Sequence, residues 1–386
     1  MIDVVAMDEW RIVVPLKFRR WNHGQLPHID SPEIDDRGYK MGTRPGPWGE
    51  TTVRGPTFGV VRGDSVRVGV IAEDIDPNAP LYASSSDPSV LTVNAANGGP
   101  LPMSGELWVT GAAQGTAALR IHLGSATGPI LAEADVRVHS LLRVTLTPHL
   151  VRIDSTTTTG VNPAMPIDAM VRRLRAIWRP CGIDFRVAPT VADNIRFVSN
   201  RVNFMDIEAG TWLQEVRALM GLQRTRLGLA AGTRDESINW YIIQEFVPGA
   251  DGTTTVGLGV SRQTAGEWGV TDTGIIVAAQ AFGNPRDSEF TARTLAHEVG
   301  HFFRLAHVQH RNSDNAVKDT FGRRQLMYPL STLSGGTNGT AVPRFNDVGY
   351  GDGVRGCLLT MKNHAHHNSD GECATARNAI HSNNWF

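Results

Sequence analysis

Three side chains close to position 300 have the types and spacing of a metal-assisted hydrolytic centre. The segment TLAHEVGHFFRLAH, running from Thr294 to His307, holds His297, Glu298 and His301. Histidines four residues apart on a helix project from one face, about one turn from each other. Their ring nitrogens can then converge on a single ion at the ~2.0–2.1 Å typical of a Zn–N bond. Glu298 follows the first histidine directly and so points to one side of that face. There a carboxylate can take a proton from water without itself becoming a ligand. The surrounding helix is apolar, unlike a solvated surface carrying two chance histidines, and the pattern is H-E-x-x-H.

Catalytic zinc needs a third protein ligand and an open position. His307 lies six residues beyond His301. On an unbroken helix it would sit ~9 Å further along the axis and rotated away. It can reach the same ion only if the helix ends and the chain turns back. His310, Asp314 and Asp319 are the rivals for that position. Further on, Met327 precedes Tyr328 and Pro329. Taken together, these residues resemble the metzincin arrangement, H-E-x-x-H-x-x-G-x-x-H followed by a Met-turn.

The resemblance implies a zinc endopeptidase acting on protein or peptide substrates. Zn²⁺ would be held by His297, His301 and His307, and Glu298 would serve as general base toward a metal-activated water. Met327 would form an apolar floor under the imidazoles rather than a ligand. Tyr328 follows the methionine directly, whereas a tyrosine ligand in such families stands two residues after it, so it is not assigned to the metal. Substrate would lie extended along an edge strand, for which 256–262 and 273–279 are the candidates. The chain departs from the family at Arg304, which stands where the pattern has glycine. That position ends the helix at positive φ, at a cost of about 1–2 kcal/mol for a residue with a Cβ. A structural zinc site contributes ~10 kcal/mol or more and can offset it.

These residues need a scaffold, and the chain divides into three stretches of different character. Residues 1–50 carry clustered Pro, Gly and Arg and read as an irregular N-terminal segment. Across 51–140, short β-branched runs such as FGVVRGD, VRVGVIAED and TAALRIHLG alternate with turn signals about every ten residues, the pattern of a β-sandwich. This stretch resembles a bacterial immunoglobulin-like domain. Arg62-Gly63-Asp64 within it reads as a hairpin turn rather than an adhesion motif. From 141 to 386 strands and helices alternate. In PIDAMVRRLRAIWRPCG, Ile167, Met170, Val171, Leu174, Ile177 and Trp178 form one helical stripe, and Pro180 and Gly182 stop it. The expected fold is therefore multidomain: an Ig-like all-β sandwich, then an α+β metzincin-like domain with a mixed, mostly parallel twisted sheet and an active-site helix.

Composition narrows the partners. With 37 Lys+Arg against 38 Asp+Glu over 386 residues, the net charge of −1 argues against a nucleic-acid binder. No run of about 18 apolar residues occurs, so no membrane span is expected. Asp3, Asp8, Glu9 and Arg11 interrupt any signal-peptide core. The chain is expected to be secreted or exported without a recognisable signal, with a cytoplasmic location as the alternative.

The 3 cysteines are too few for a disulfide scaffold. Cys357 and Cys373 could close a short loop, and Cys181 reads as a buried small apolar residue. His364, His366, His367 and His381 read as solvated. Two rival functions remain at this point. One is a binding or structural β protein with a non-catalytic zinc site, and the other is an effector protease exported without a signal.

Overall fold

The computed structural model describes residues 16–20, 57–72, 78–94, 100–101, 106–152, 166–194, 212–228, 237–243, 246, 257–268, 272–278, 285–305, 326 and 371–382. They fall into two compact units, one containing the chain up to Leu141 together with Trp178–Gly182, the other most of the remainder.

The first unit is built from eight strands among the described residues, β1 (Leu16–Arg20), β2 (Thr57–Val61), β3 (Ser65–Ala72), β4 (Leu81–Ser85), β5 (Leu91–Asn94), β6 (Glu106–Gly111), β7 (Gly115–Leu123) and β8 (Ile130–His139). One sheet runs β1-β3-β6-β5 and the other β2-β8-β7-β4. Along β6, β7 and β8 buried and half-buried positions alternate, which is the period-2 signature of a sheet with one covered face. Phe58, Val68, Leu91, Leu107, Val109, Leu119, Ile121 and Val136 come from both sheets and share one core. Burial of each such side chain is worth roughly 1.5–3 kcal/mol. Leu16–Arg20 pairs antiparallel with β3, although it lies in the segment expected to be irregular.

Arg62, Gly63 and Asp64 form the tight connection between β2 and β3. Gly63 has φ 86°, and the Asp64 amide donates to the Val61 carbonyl at 2.9 Å. The Asp64 carboxylate receives both arms of the Arg179 guanidinium at 2.6 and 2.9 Å. The turn is thus held by a bidentate ion pair.

The second unit contains a six-stranded sheet. Its strands are β9 (Leu142–Arg152), β10 (Ile183–Val187), β11 (Val191–Asn194), β12 (Ser237–Ile243), β13 (Gly257–Val260) and β14 (Gly274–Ala278), in the order β10-β9-β12-β14-β13, with β11 also on β9. The pairs are parallel except β13 with β14. Every residue of β12 and β14 is buried, as expected of strands covered on both faces. Two polar pairs cross from β9 to β12 inside this sheet: Thr147 Oγ1 donates to Ser237 Oγ at 2.9 Å, and His149 Nε2 meets Asn239 Oδ1 at 3.1 Å.

The helices of the described residues are α1 (Ile167–Trp178), α2 (Trp212–Leu227), α3 (Arg262–Glu267), α4 (Pro285–Phe302) and α5 (Glu372–His381). The six apolar residues of the α1 stripe are all buried. The helix gives way to a 3-10 turn, Arg179–Cys181, and Gly182 closes it at φ 70°. Val216, Leu219 and Met220 of α2 pack on Tyr241, Ile243 and Ile276 of the sheet. No described helix is long and apolar enough to cross a membrane.

The expected fold class needs correction. The described chain is mostly β, with fourteen strands in three sheets against five α-helices, and parallel and antiparallel pairs mix within two of the sheets. The α+β metzincin-like arrangement does not stand as its fold class. Leu16–Arg20 and Val191–Asn194 are strands that no local pattern announced. Strands of four or five residues carry little local signal and exist through partners distant in the chain.

The cysteines also depart from expectation. Cys181 is fully buried and Cys373 is 1% exposed, and both are disulfide-bonded, so Cys181 is not simply a small apolar filler. Cys357 lies outside the described residues.

Candidate metal centre

Helix α4 opens on Pro285, a residue suited to the first helical turn because its missing N–H is not needed there. From Thr291 to Gly300 every residue is buried. His297 is 1% and Glu298 4% exposed, and His301 is half-buried. Polar groups so deeply placed must be satisfied by specific partners.

The two histidines meet edge to face, with ring centroids 4.7 Å apart and planes at 86°. His297 Nδ1 lies 2.7 Å from the carbonyl oxygen of Leu326, and His301 Nδ1 lies 2.8 Å from that of Leu305. A carbonyl can only accept, so Nδ1 is the donor in both rings. In the neutral imidazole this puts the lone pair on Nε2. Anchoring one ring nitrogen on a carbonyl while the other bears the lone pair is how metal-ligating histidines are commonly held. The donor set at His297 and His301 therefore fits a zinc ion.

The end of α4 bears directly on the third ligand. The Leu305 amide donates to the Gly300 carbonyl at 2.9 Å and the Arg304 amide to the His301 carbonyl at 2.9 Å. These two bonds define a Schellman cap with Arg304 in the position usually held by glycine. Arg304 has φ 68°, the one non-glycine residue at positive φ among those described. The chain thus turns where the sequence pattern requires, despite the Cβ. The turn presents the Leu305 carbonyl to the His301 ring.

His307 itself lies outside the described residues, as do its rivals His310, Asp314 and Asp319, and Met327, Tyr328 and Pro329. Leu326, immediately before Met327, is described and fully buried, and its carbonyl meets His297. Among the described residues no group of three His, Cys, Asp or Glu is placed to hold a metal ion. His364, His366 and His367 are also outside the described residues. His381 is exposed in the last turn of α5 rather than in a loop.

Of the two candidate edges, β14 is interior, between β12 and β13, while β13 ends the strand order on that side. Glu298 lies against β13, where Gly257 and Gly259 leave room for it. The Leu305 and Leu326 carbonyls orient the two rings without any mark in the sequence. Backbone oxygens carry no residue-type signal. The two glycines, spaced i and i+2 in a strand pattern, are a signal of close approach that could have been read.

No family model matches the chain, and no curated protein matches it. Among solved structures, domains 1–6 of the surface layer protein SbsC are 20% identical over 22% of this chain and 12% of that chain, with a TM-score of 0.18. Domains 4 and 5 of the same S-layer protein are 20% identical over 22% of this chain and 47% of that chain, with a TM-score of 0.17. Its domains 5–6 are 18% identical over 27% and 52% of the respective chains, with a TM-score of 0.19. The chain therefore spans about half or less of those structures, and superpositions of this quality carry no argument about fold or site.

Proposed function

We propose that the chain is a zinc-dependent endopeptidase, with His297, His301 and His307 as metal ligands and Glu298 as general base. One observation carries the reading. Two imidazoles on one face of α4 stand 4.7 Å apart, each with Nδ1 tied to a backbone carbonyl, beside a buried carboxylate on the same helix. The kinship proposed with metzincins is confined to the site segments, 297–307 and 326–329, and does not extend to the fold.

A bound zinc ion would supply Lewis acidity, polarising the scissile carbonyl and acidifying a water. The remaining work falls to the chain's own groups. Glu298 takes the proton from the attacking water and delivers it to the leaving amine. The Leu305 and Leu326 carbonyls hold the rings of His301 and His297 in orientation. The Arg304 turn brings the chain back toward the helix, which His307 needs if it is to approach the same ion. An extended peptide would add to β13, the strand whose face meets Glu298.

A location outside the cytoplasm is part of the proposal. Cys181 and Cys373 are disulfide-bonded, and such bonds persist in oxidising compartments.

Metal analysis of the purified chain, paired with cleavage of a peptide library, tests the reading. The expected result is close to one zinc per chain, and hydrolysis that falls by about 10²–10⁴-fold in Glu298→Gln while zinc is retained. Zinc bound without hydrolysis of any peptide would instead favour a structural metal site on a binding protein.

A further inference from the structure

We infer that Gly257 and Gly259 form a slot in β13 that sets the position of the Glu298 carboxylate, making both of them positioning residues for proton transfer; this rests on the general-base reading above. The two glycines lie two apart in a strand, so they share the face that meets α4. The intervening Leu258 and the following Val260 join the apolar cluster on α2 and α3. One face of this short strand is thus an ordinary apolar face, and the other lacks side chains just where Glu298 lies.

The fit is tight. A methyl group at Gly257 would stand 2.6 Å from Glu298 Oε1, 2.8 Å from its Cγ and 2.8 Å from Thr294 Cγ2. One at Gly259 would stand 2.9 Å from the Glu298 carbonyl oxygen, 3.0 Å from His301 Cβ and 3.4 Å from Glu298 Oε2. One carboxylate oxygen therefore lies over each glycine, and the acid spans the space two side chains would fill. Neither glycine is required by its φ, since neither lies in the left-handed region. The absence of a Cβ serves space alone, and the space is filled by the carboxylate.

The two positions differ in what they would disturb. The three atoms nearest a Cβ at Gly257 all belong to side chains, those of Glu298 and Thr294. A Cβ at Gly259 presses on the helix backbone and on His301. Gly257 is therefore the site for isolating the carboxylate's position, and Gly259 couples that position to a metal ligand.

The test uses the full-length zinc-loaded protein, with wild type, Gly257→Ala, Gly257→Ala/Thr294→Ser and Glu298→Gln compared. The double variant removes the Thr294 methyl contact and keeps the clash with the carboxylate, so the question stays open to test if the single variant folds poorly. For Gly257→Ala we expect zinc content and KM near wild type and kcat lowered about a hundredfold, the scale of an ångström-sized misplacement. At fixed pH the carbon-13 NMR signal of the Glu298 carboxyl should move from its wild-type position while zinc content holds.

Wild-type kcat and an unmoved carboxyl signal in a folded, zinc-loaded Gly257→Ala protein would overturn the slot. So would a loss of kcat that merely follows a loss of folded protein in both alanine variants. If Glu298→Gln is inactive while Gly257→Ala is normal, the slot fails and the base assignment survives. Full activity in Glu298→Gln removes the base assignment, and the slot's catalytic role with it.

Discussion

The amide of Arg304 donates to the carbonyl of His301 at 2.9 Å while Arg304 itself holds φ 68°. A residue with a Cβ thus closes the helix that carries the two histidines, in a conformation that favours glycine. The conformation costs about 1–2 kcal/mol, and the surrounding hydrogen bonds must sustain it. Arg304→Gly is therefore expected to stabilise the protein by about 1 kcal/mol, part of the relief being offset by the greater freedom of glycine in the unfolded chain. Urea denaturation reads this as a higher midpoint at an unchanged slope. Arg304→Val should act oppositely, lowering both stability and zinc content, because a β-branched residue tolerates positive φ least.

Removal of the metal should be separable from removal of the base. Chelation is expected to abolish hydrolysis, with activity restored by added zinc. His301→Ala should bind zinc poorly and be inactive. Glu298→Gln should bind zinc normally and lose about 10²–10⁴-fold in kcat/KM, the usual contribution of a positioned general base. Zinc stoichiometry measured beside kcat/KM distinguishes the three.

Cys181 and Cys373 are both oxidised in the structure. Reduction under native conditions should lower the thermal midpoint, with a loss of about 2–5 kcal/mol typical for a native disulfide. Thiol titration of the denatured chain should find one free thiol before reduction and all 3 cysteines after it. Three thiols before reduction would refute the bond and, with it, the argument for an oxidising compartment.

The pair His149–Asn239 lies wholly inside the sheet, with His149 0% and Asn239 6% exposed. Asn239→Ala should destabilise by about 1–3 kcal/mol, because it takes a hydrogen-bond partner from a buried ring that also stacks on Tyr241 at 4.6 Å. Zinc affinity should stay as in wild type, which separates this fold-level effect from changes at α4. Equilibrium unfolding and metal titration on the same preparation measure both.

An ion pair supplies a contrast. Arg179 and Asp64 form a bidentate bridge with side chains 33% and 30% exposed. Solvent screening limits such a pair to about 1 kcal/mol or less. Asp64→Asn should accordingly cost under about 1 kcal/mol, and less at high salt, as thermal scans at two ionic strengths would register.

What the amino-acid order settles here is local. The His297–Glu298–His301 spacing, the buried stripe from Ile167 to Trp178 and the alternation along β7 and β8 all repeat within one window, because helix and strand periods are properties of a few neighbouring residues. The need for a turn at Arg304 was legible for the same reason. Tertiary structure decided the rest. Strand pairing joins Leu16–Arg20 to β3 and Val191–Asn194 to β9 across long stretches of chain, so these short strands exist only through distant partners. The carbonyls of Leu305 and Leu326 orient the two rings, yet every residue has a carbonyl, so nothing in their identity marks them. The spacing of Gly257 and Gly259 marks a close approach in the sequence, but what fills the space was decided only when α4 came to lie across β13.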